Sequence, residues 1–282
     1  MKKSIKIALI ALPITLGLGL GAYLYYNYNI SKTKGNKAKQ TEGNFPLQGN
    51  VKIASWNLQI FGEKKANNPE LMQSYANILT NYNIIFIEEI RDSTGKAFPA
   101  LCSLMKDYDS LISSRAGRTK SKEQYGVIFR KNQANVKEFK DYNPDTEDRW
   151  ERPPIEVVFN MGSEYTIRVF AIHTDPDDAK NEISALERIT TNSGNVIVIG
   201  DLNASGTYYN NRKRNDFADW TWVIKDGEDT TVSTNNSHTY DRIIANPDAS
   251  REILSHGIYT NGINKTMSDH FPIWVELIPK ER

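Results

Sequence analysis

The chain has 282 residues, 39% hydrophobic, 24% charged and 10% aromatic, a globular composition that excludes collagen-like, low-complexity and mostly disordered chains. Its single cysteine, Cys102, excludes an intramolecular disulfide and a four-cysteine zinc site. Residues 1–50 hold seven lysines against one acid, Glu42, so within a net charge of +1 the remaining 232 residues carry −5. That balance excludes a bulk-basic nucleic-acid binder there, and chemistry on phosphates would need a metal ion or a local cluster of cations.

After Met1-Lys2-Lys3-Ser4-Ile5-Lys6, an uncharged run extends from Ile7 to Ser31 and is strongly apolar as far as Tyr26. Some twenty apolar residues rising about 1.5 Å each match the roughly 30 Å core of a bilayer. Tyr23, Tyr25, Tyr26 and Tyr28 fall where an interfacial aromatic belt would lie. A cleaved signal peptide is the alternative, given the basic start and the small residues Gly19, Gly21 and Ala22. The length of the run and the lack of an Ala-x-Ala site favour an uncleaved membrane anchor over residues 1–30. N-terminal sequencing that begins near Ala22 or Tyr23 would show a signal peptide instead. In both cases the rest of the chain is expected to be exported, either anchored outside the cytoplasm or secreted. Residues 31–50, rich in Lys, Asn, Gly, Ser and Gln, bury too little surface to order themselves and read as a linker. A folded domain is expected over 51–282.

Within it, short β-branched runs recur at Val51–Trp56, Ile84–Ile87, Gly126–Phe129, Ile155–Phe159, Ile167–Ile172, Val196–Ile199, Tyr240–Ala245 and Ile273–Ile278. Several are continuously apolar, as strands covered on both faces are. Pro69–Tyr82 sets Leu71, Tyr75, Ile78, Leu79 and Tyr82 on one helical stripe. Residues 97–106 form a weaker helical candidate. Asp175-Pro176 supplies a cap and first-turn proline for a helix with Ile183, Leu186 and Ile189 on its apolar face. Many strands with occasional helices indicate an α/β or α+β sandwich.

The ends of these strands are polar. Ser55-Trp56-Asn57 closes the first, and Glu88-Glu89-Ile90-Arg91-Asp92 follows Ile84–Ile87. His173 follows Val169–Ile172, Asp201 and Asn203 follow Val196–Gly200, Asp241 lies in Tyr240–Ile244, and Ser268-Asp269-His270 precedes the last run. A lone strand-end Asp is usually a turn or a cap. Six such ends together indicate side chains converging at one sheet edge. Their carboxylate and amide oxygens suit a hard cation such as Mg²⁺, and two histidines offer acid–base groups near neutral pH.

The segments Trp56-Asn57, Glu89-Ile90-Arg91-Asp92, Ile172-His173, Gly200-Asp201-Leu202-Asn203-Ala204, Tyr240-Asp241-Arg242-Ile243 and Ser268-Asp269-His270-Phe271-Pro272 occur in this order. Together they resemble the endonuclease/exonuclease/phosphatase superfamily, and within it the deoxyribonuclease I group, from about Val51 to Leu277. The resemblance implies a four-layer sandwich of two mixed β-sheets flanked by helices. It implies Mg²⁺ (or Mn²⁺) held by Glu89 with Asn57 and Asp269 close by. His173 and His270 would be the acid–base pair, with Glu123 orienting the first and Asp241 the second. Asp201 and Asn203 would position the phosphate or the attacking water.

Other members of the superfamily act on abasic DNA, inositol phosphates or sphingomyelin, so the substrate needs its own argument. Arg91-Asp92 after Glu89-Ile90 is similar to the deoxyribonuclease group, where that arginine enters the minor groove of DNA. Arg152 in Glu151-Arg152-Pro153-Pro154 resembles a phosphate-contacting arginine, Thr234 a backbone contact, and Tyr208 follows Asn203 at the group's spacing. Gln59 and Ser121 depart from the group where it has an arginine and a groove-inserting tyrosine, and Glu88 replaces a usual glutamine. The group's disulfide near Gly206 and Ser237 has no cysteines here, so a structural Ca²⁺ would have to serve alone, and Asp229 and Thr231 resemble the group's calcium site. The expected function is an exported, metal-dependent endonuclease with DNA as its partner. The alternatives are a lipid or inositol-phosphate phosphodiesterase and a non-catalytic binding protein on the same scaffold.

Overall fold

Alternating side chains decide where each strand can lie, because a strand covered on both faces must send odd and even residues into different cores. In a computed structural model describing residues 49–162, 165–233 and 235–280, this happens in strand after strand. In β1 (Val51–Phe61), Val51 and Ile53 enter a core between two sheets, whereas Ala54 and Trp56 face a helical layer. In β2 (Ile84–Ile90), Ile84 and Phe86 face the first core and Ile85 and Ile87 the second. In β8 (Asn195–Asp201), Ile197 and Ile199 join the inter-sheet core, while Val196 and Val198 meet helix α4 (Ala179–Ile189) through Ile183 and Leu186.

The chain adds α1 (Glu63–Ala66), α2 (Pro69–Leu79), α3 (Ala97–Ser103), β3 (Tyr108–Ile112), β4 (Gln124–Arg130), β5 (Asn135–Asp141), β6 (Ile155–Asn160) and β7 (Thr166–Ala171) before α4. After β8 come β9 (Thr221–Trp222), β10 (Asp241–Ala245), α5 (Pro247–Ser250), β11 (Ile253–Ile258) and β12 (Ile273–Leu277). One six-stranded sheet has the order β11-β12-β1-β2-β4-β3 and the other β5-β6-β7-β8-β10-β9. Each is mixed: β1/β2 and β7/β8 are parallel, their neighbours antiparallel. Helices α2 and α3 cover the first sheet through Met72, Tyr75, Leu79, Phe98 and Leu101, and α4 covers the second, giving the four expected layers.

All eight expected strands are present within a residue or two at most ends, but β1 runs on to Phe61. The helix expected over 69–82 starts at Pro69 under an Asn68 cap and stops at Leu79, with Tyr82 buried beyond its end. Asp175 accepts from Asp177 N–H and opens a 3₁₀ turn that leads into α4, as its cap-and-proline pattern implies. The weaker candidate over 97–106 is α3, shorter than expected. Among the described residues no helix is long and apolar enough to cross a membrane. The anchor or signal expected over 1–30 and nearly all of the linker lie outside those residues.

Candidate active site

Parallel pairing of β1 with β2 sets Asn57 beside Glu88, and antiparallel pairing of β8 with β10 sets Asp201 opposite Asp241. Both sheets therefore deliver their polar ends to one edge. The ladder is irregular there: β2 shifts register between Ile87 and Ile90, and Glu89 takes a left-handed backbone with φ +56°. A bulge re-aims its side chain, and such strain is held in place by surrounding contacts. Here Glu89 Oε1 accepts from Asn57 Nδ2 at 3.1 Å and Oε2 accepts from Ile60 N–H at 2.8 Å.

Two histidines meet across one carboxylate. His173 Nδ1 lies 2.9 Å from Glu123 Oε2, and His270 Nδ1 lies 2.8 Å from Asp241 Oδ2. The Nε2 atoms of both rings lie 3.5 Å from the same oxygen, Asp201 Oδ2. All five side chains are buried. Burial opposes charge on His173, and Arg152 adds to that, yet Glu123 and Asp201 hold it above the usual histidine value. Burial likewise opposes charge on His270, but Asp241 and Asp201 hold it well above. Burial would raise Asp201; His270 and His173 overcome this and keep its carboxyl low. A carboxylate on Nδ1 fixes the tautomer, so Nε2 is the atom each ring turns inward.

Asn203, left-handed at φ +47°, donates from its backbone N–H to Asp201 Oδ1 at 3.1 Å and from Nδ2 to Thr174 O at 3.0 Å. It shapes the turn after β8 and so sets the angle of Asp201. Arg152 donates from Nε to His173 O at 2.9 Å and from Nη2 to Thr174 O at 2.6 Å, and lies 3.7 Å from Glu123. These bonds brace the strand end that carries His173. Tyr208 stands exposed on the rim, its ring 5.6 Å from Tyr240, which in turn lies 6.4 Å from the His270 ring. Arg91, half-buried two residues after Glu89, is close enough for its charge to help keep Glu123 ionised. Thr234 lies outside the described residues.

Behind these groups sits Glu88, fully buried, with Oε1 2.6 Å from Ser55 Oγ and Oε2 accepting Asp201 N–H at 2.9 Å. It needs a glycine beside it: a Cβ on Gly200, whose φ is +137°, would come within 2.1 Å of Ile172 O and 2.8 Å of Glu88 Oε1. Burial first, and then Asp201, push Glu88 up to about 8, so it keeps its proton at neutral pH and serves as an amide would. The folded chain holds that proton while the unfolded chain, near 4.5, releases it; stability falls as pH rises from about 4.5 through about 8. Glu88→Gln should remove this slope. In EDTA, its Tm relative to wild type should rise between pH 5 and pH 8, by the equivalent of several kcal/mol at most. An equal difference at both pH values would show that Glu88 is not held protonated.

The expected metal ligands differ in how far their oxygens are already engaged. Asp269 Oδ1 is buried with no hydrogen-bond partner although nearly half of its side chain is open to solvent, which suits a hard cation reached from outside. Glu89 lies on the same side as His173 and Glu123, one oxygen or nitrogen of each within 4.8 Å of the others. Asn57 turns its NH₂ to Glu89 and to Asp201, both at 3.1 Å, and its oxygen to Gln59 N–H, so it would have to turn over to ligate. Glu89, grouped with Glu123 and His173, and the unpartnered Asp269 Oδ1 are the oxygens here that could hold a divalent ion. At Asp229 and Thr231, Asp229 Oδ1 accepts from Thr231 N–H, Thr231 Oγ1 and His238 N–H, and Thr231 bridges to His270. They fasten the loop that supports His270.

One residue of this region escapes sequence reasoning. Lys65 follows β1 on α1 and reaches the site through backbone carbonyls, a contact with no pattern in the sequence.

The pattern that describes the endonuclease/exonuclease/phosphatase family matches residues 54–270, a span that includes every group just named. The chain belongs to that family. It is a metal-dependent phosphodiester hydrolase built as the family is. Deoxyribonuclease-1-like 1 of Mus musculus is 30% identical over 251 residues, covering 80% of each chain. Deoxyribonuclease-1 of Gallus gallus is 29% identical, covering 80% of this chain and 92% of its own. An endonuclease/exonuclease/phosphatase structure from Bacteroides vulgatus shares the fold with a TM-score of 0.61 at 17% identity, over 83% of this chain and all of its own.

Proposed function

We propose that the chain is an exported endonuclease that hydrolyses DNA phosphodiester bonds with weak sequence preference, using Mg²⁺ or Mn²⁺ on Glu89 and Asp269. The observation that carries the reading is the pair of histidine Nε2 atoms, each 3.5 Å from Asp201 Oδ2. Hydrolysis requires one proton to leave the attacking water and another to reach the leaving oxygen. Two rings facing each other, each braced on Nδ1 by its own carboxylate, can do both. A bound divalent ion would stabilise charge developing on the phosphoryl oxygens. Asp201, held by Asn203 N–H and Asn57 Nδ2, orients water or phosphate between the rings. Export rests on the apolar run Ile7–Tyr26.

DNA as substrate is supported by the deoxyribonuclease relatives and by Arg91 two residues after Glu89. The minor groove offers mainly acceptors, N3 of adenine and O2 of thymine, which suit an arginine fork. Gln59 and Ser121 supply no cation, so Arg91 carries a larger share of duplex binding. Arg91→Ala should slow cleavage of duplex DNA by about tenfold or more, roughly 1.4 kcal/mol, and barely change hydrolysis of bis-p-nitrophenyl phosphate. Equal losses on both substrates would assign Arg91 to the chemistry or the fold and remove the main support for DNA.

A further inference from the structure

Lys65 lies outside every motif of the site, yet its ammonium is committed to three backbone carbonyls: Leu58 O at 2.7 Å, Gln59 O at 2.6 Å and Met267 O at 2.7 Å. Three donors meet three acceptors, which satisfies an ammonium group completely. Two of those acceptors lie in the turn after Asn57, and the third lies two residues before Asp269. That turn is strained: Gln59 and Ile60 are both left-handed, at φ +44° and +54°, and a β-branched residue there is a marked outlier. The same turn supplies Ile60 N–H to Glu89 Oε2 at 2.8 Å. Lys65 therefore holds the backbone that holds Glu89 and, through Met267, the loop that presents Asp269.

Other contacts join the same two segments, Ser268 Oγ to Asn57 O at 2.6 Å and Trp56 Nε1 to His270 O at 2.8 Å, and Tyr75 OH also donates to Met267 O at 2.6 Å. Lys65 differs from them in carrying a charge. Burial lowers its pKa to about 8, opposed by the nearby Asp269 and Glu89, and its hydrogen bonds go to carbonyls and to neither carboxylate.

We propose that Lys65 is a positioning residue of the divalent-metal site, tying the turn after Asn57 to the Met267–Asp269 loop so that the Glu89 and Asp269 oxygens keep one spacing, and that metal affinity depends on this tie. The proposal rests on the reading of Glu89 and Asp269 as metal ligands. Two effects of Lys65 oppose each other and can be separated. As a mere charge it would repel a cation, and its removal would tighten binding. As a tie it would hold ligands in register, and its removal would loosen binding.

The test measures Mn²⁺ binding to the full chain from the electron paramagnetic resonance signal of free Mn²⁺, for wild type, Glu89→Gln, Lys65→Met and Lys65→Arg. Arginine keeps the charge, but its planar fork cannot direct donors to three carbonyls converging on one atom. Both Lys65 variants should bind Mn²⁺ about tenfold or more weakly, and the Mg²⁺ concentration needed for half-maximal plasmid nicking should rise in parallel. The rate at saturating Mg²⁺ should return to within severalfold of wild type. Failure of wild type to bind, or unchanged binding by Glu89→Gln, would overturn the metal-site reading itself. With those two as expected, wild-type affinity in the Lys65 variants, or tighter binding by Lys65→Met, would overturn the proposal. Whichever variant keeps its far-UV circular dichroism carries the test; collapse of both would overturn it too, by showing that Lys65 serves the whole fold.

Discussion

Replacing His270 with alanine is expected to slow DNA hydrolysis by roughly 10²–10⁴-fold, the range that a positioned acid or base contributes. The ring has no other task that would explain its surroundings. It is buried, its Nδ1 is bound to Asp241 at 2.8 Å, its backbone carbonyl takes the Trp56 indole N–H at 2.8 Å, and its Nε2 points to Asp201. These contacts fix one tautomer and one orientation, which a group that only fills space does not need. His173→Ala should lose as much, since His173 has the same arrangement with Glu123. Rates measured on plasmid DNA, beside circular dichroism spectra that show the fold is kept, decide the matter. A variant with wild-type rate would remove that histidine from the reaction. The double variant should lose less than the product of the two single losses, because groups acting in one step are not additive.

The second large effect is expected at Glu89. Glu89→Gln preserves the size of the side chain but removes the charge that a divalent ion would meet. It also leaves either Asn57 Nδ2 or Ile60 N–H facing an NH₂ group instead of an oxygen. Activity at a fixed low Mg²⁺ concentration should fall by at least about 100-fold, beyond the roughly 10–100-fold typical of groups that only orient a ligand. Raising Mg²⁺ should recover part of the loss. A Glu89→Gln variant with the wild-type Mg²⁺ dependence would place the ion elsewhere.

The central strands were legible because burial on both faces makes them continuously apolar, as in Val196–Ile199 and Ile84–Ile87. The four strands that sequence reading passes over are β3, β5, β9 and β11, the outer strands of the two sheets. Edge strands keep one side and part of a face in water, so Asn135–Asp141 reads Asn-Val-Lys-Glu-Phe-Lys-Asp and looks like a loop. At the site, residues that end apolar strands were legible for the same reason: a carboxylate or histidine directly after a buried run has few places to point. Glu123, on an isolated bridge with Ala116, was reached only through the resemblance. The contacts of Arg152 and Lys65 were not legible at all. Both bond to backbone carbonyls of distant segments, and a carbonyl leaves no trace in residue identity.

The most direct test is to incubate the purified full chain with supercoiled plasmid, with sphingomyelin vesicles and with inositol phosphates, each in Mg²⁺ and in EDTA. A metal-dependent endonuclease should convert the plasmid to nicked and then linear forms in Mg²⁺ alone, with the lipid and inositol phosphates untouched. Full nicking in EDTA, or release of phosphocholine or phosphate beside an intact plasmid, would contradict it.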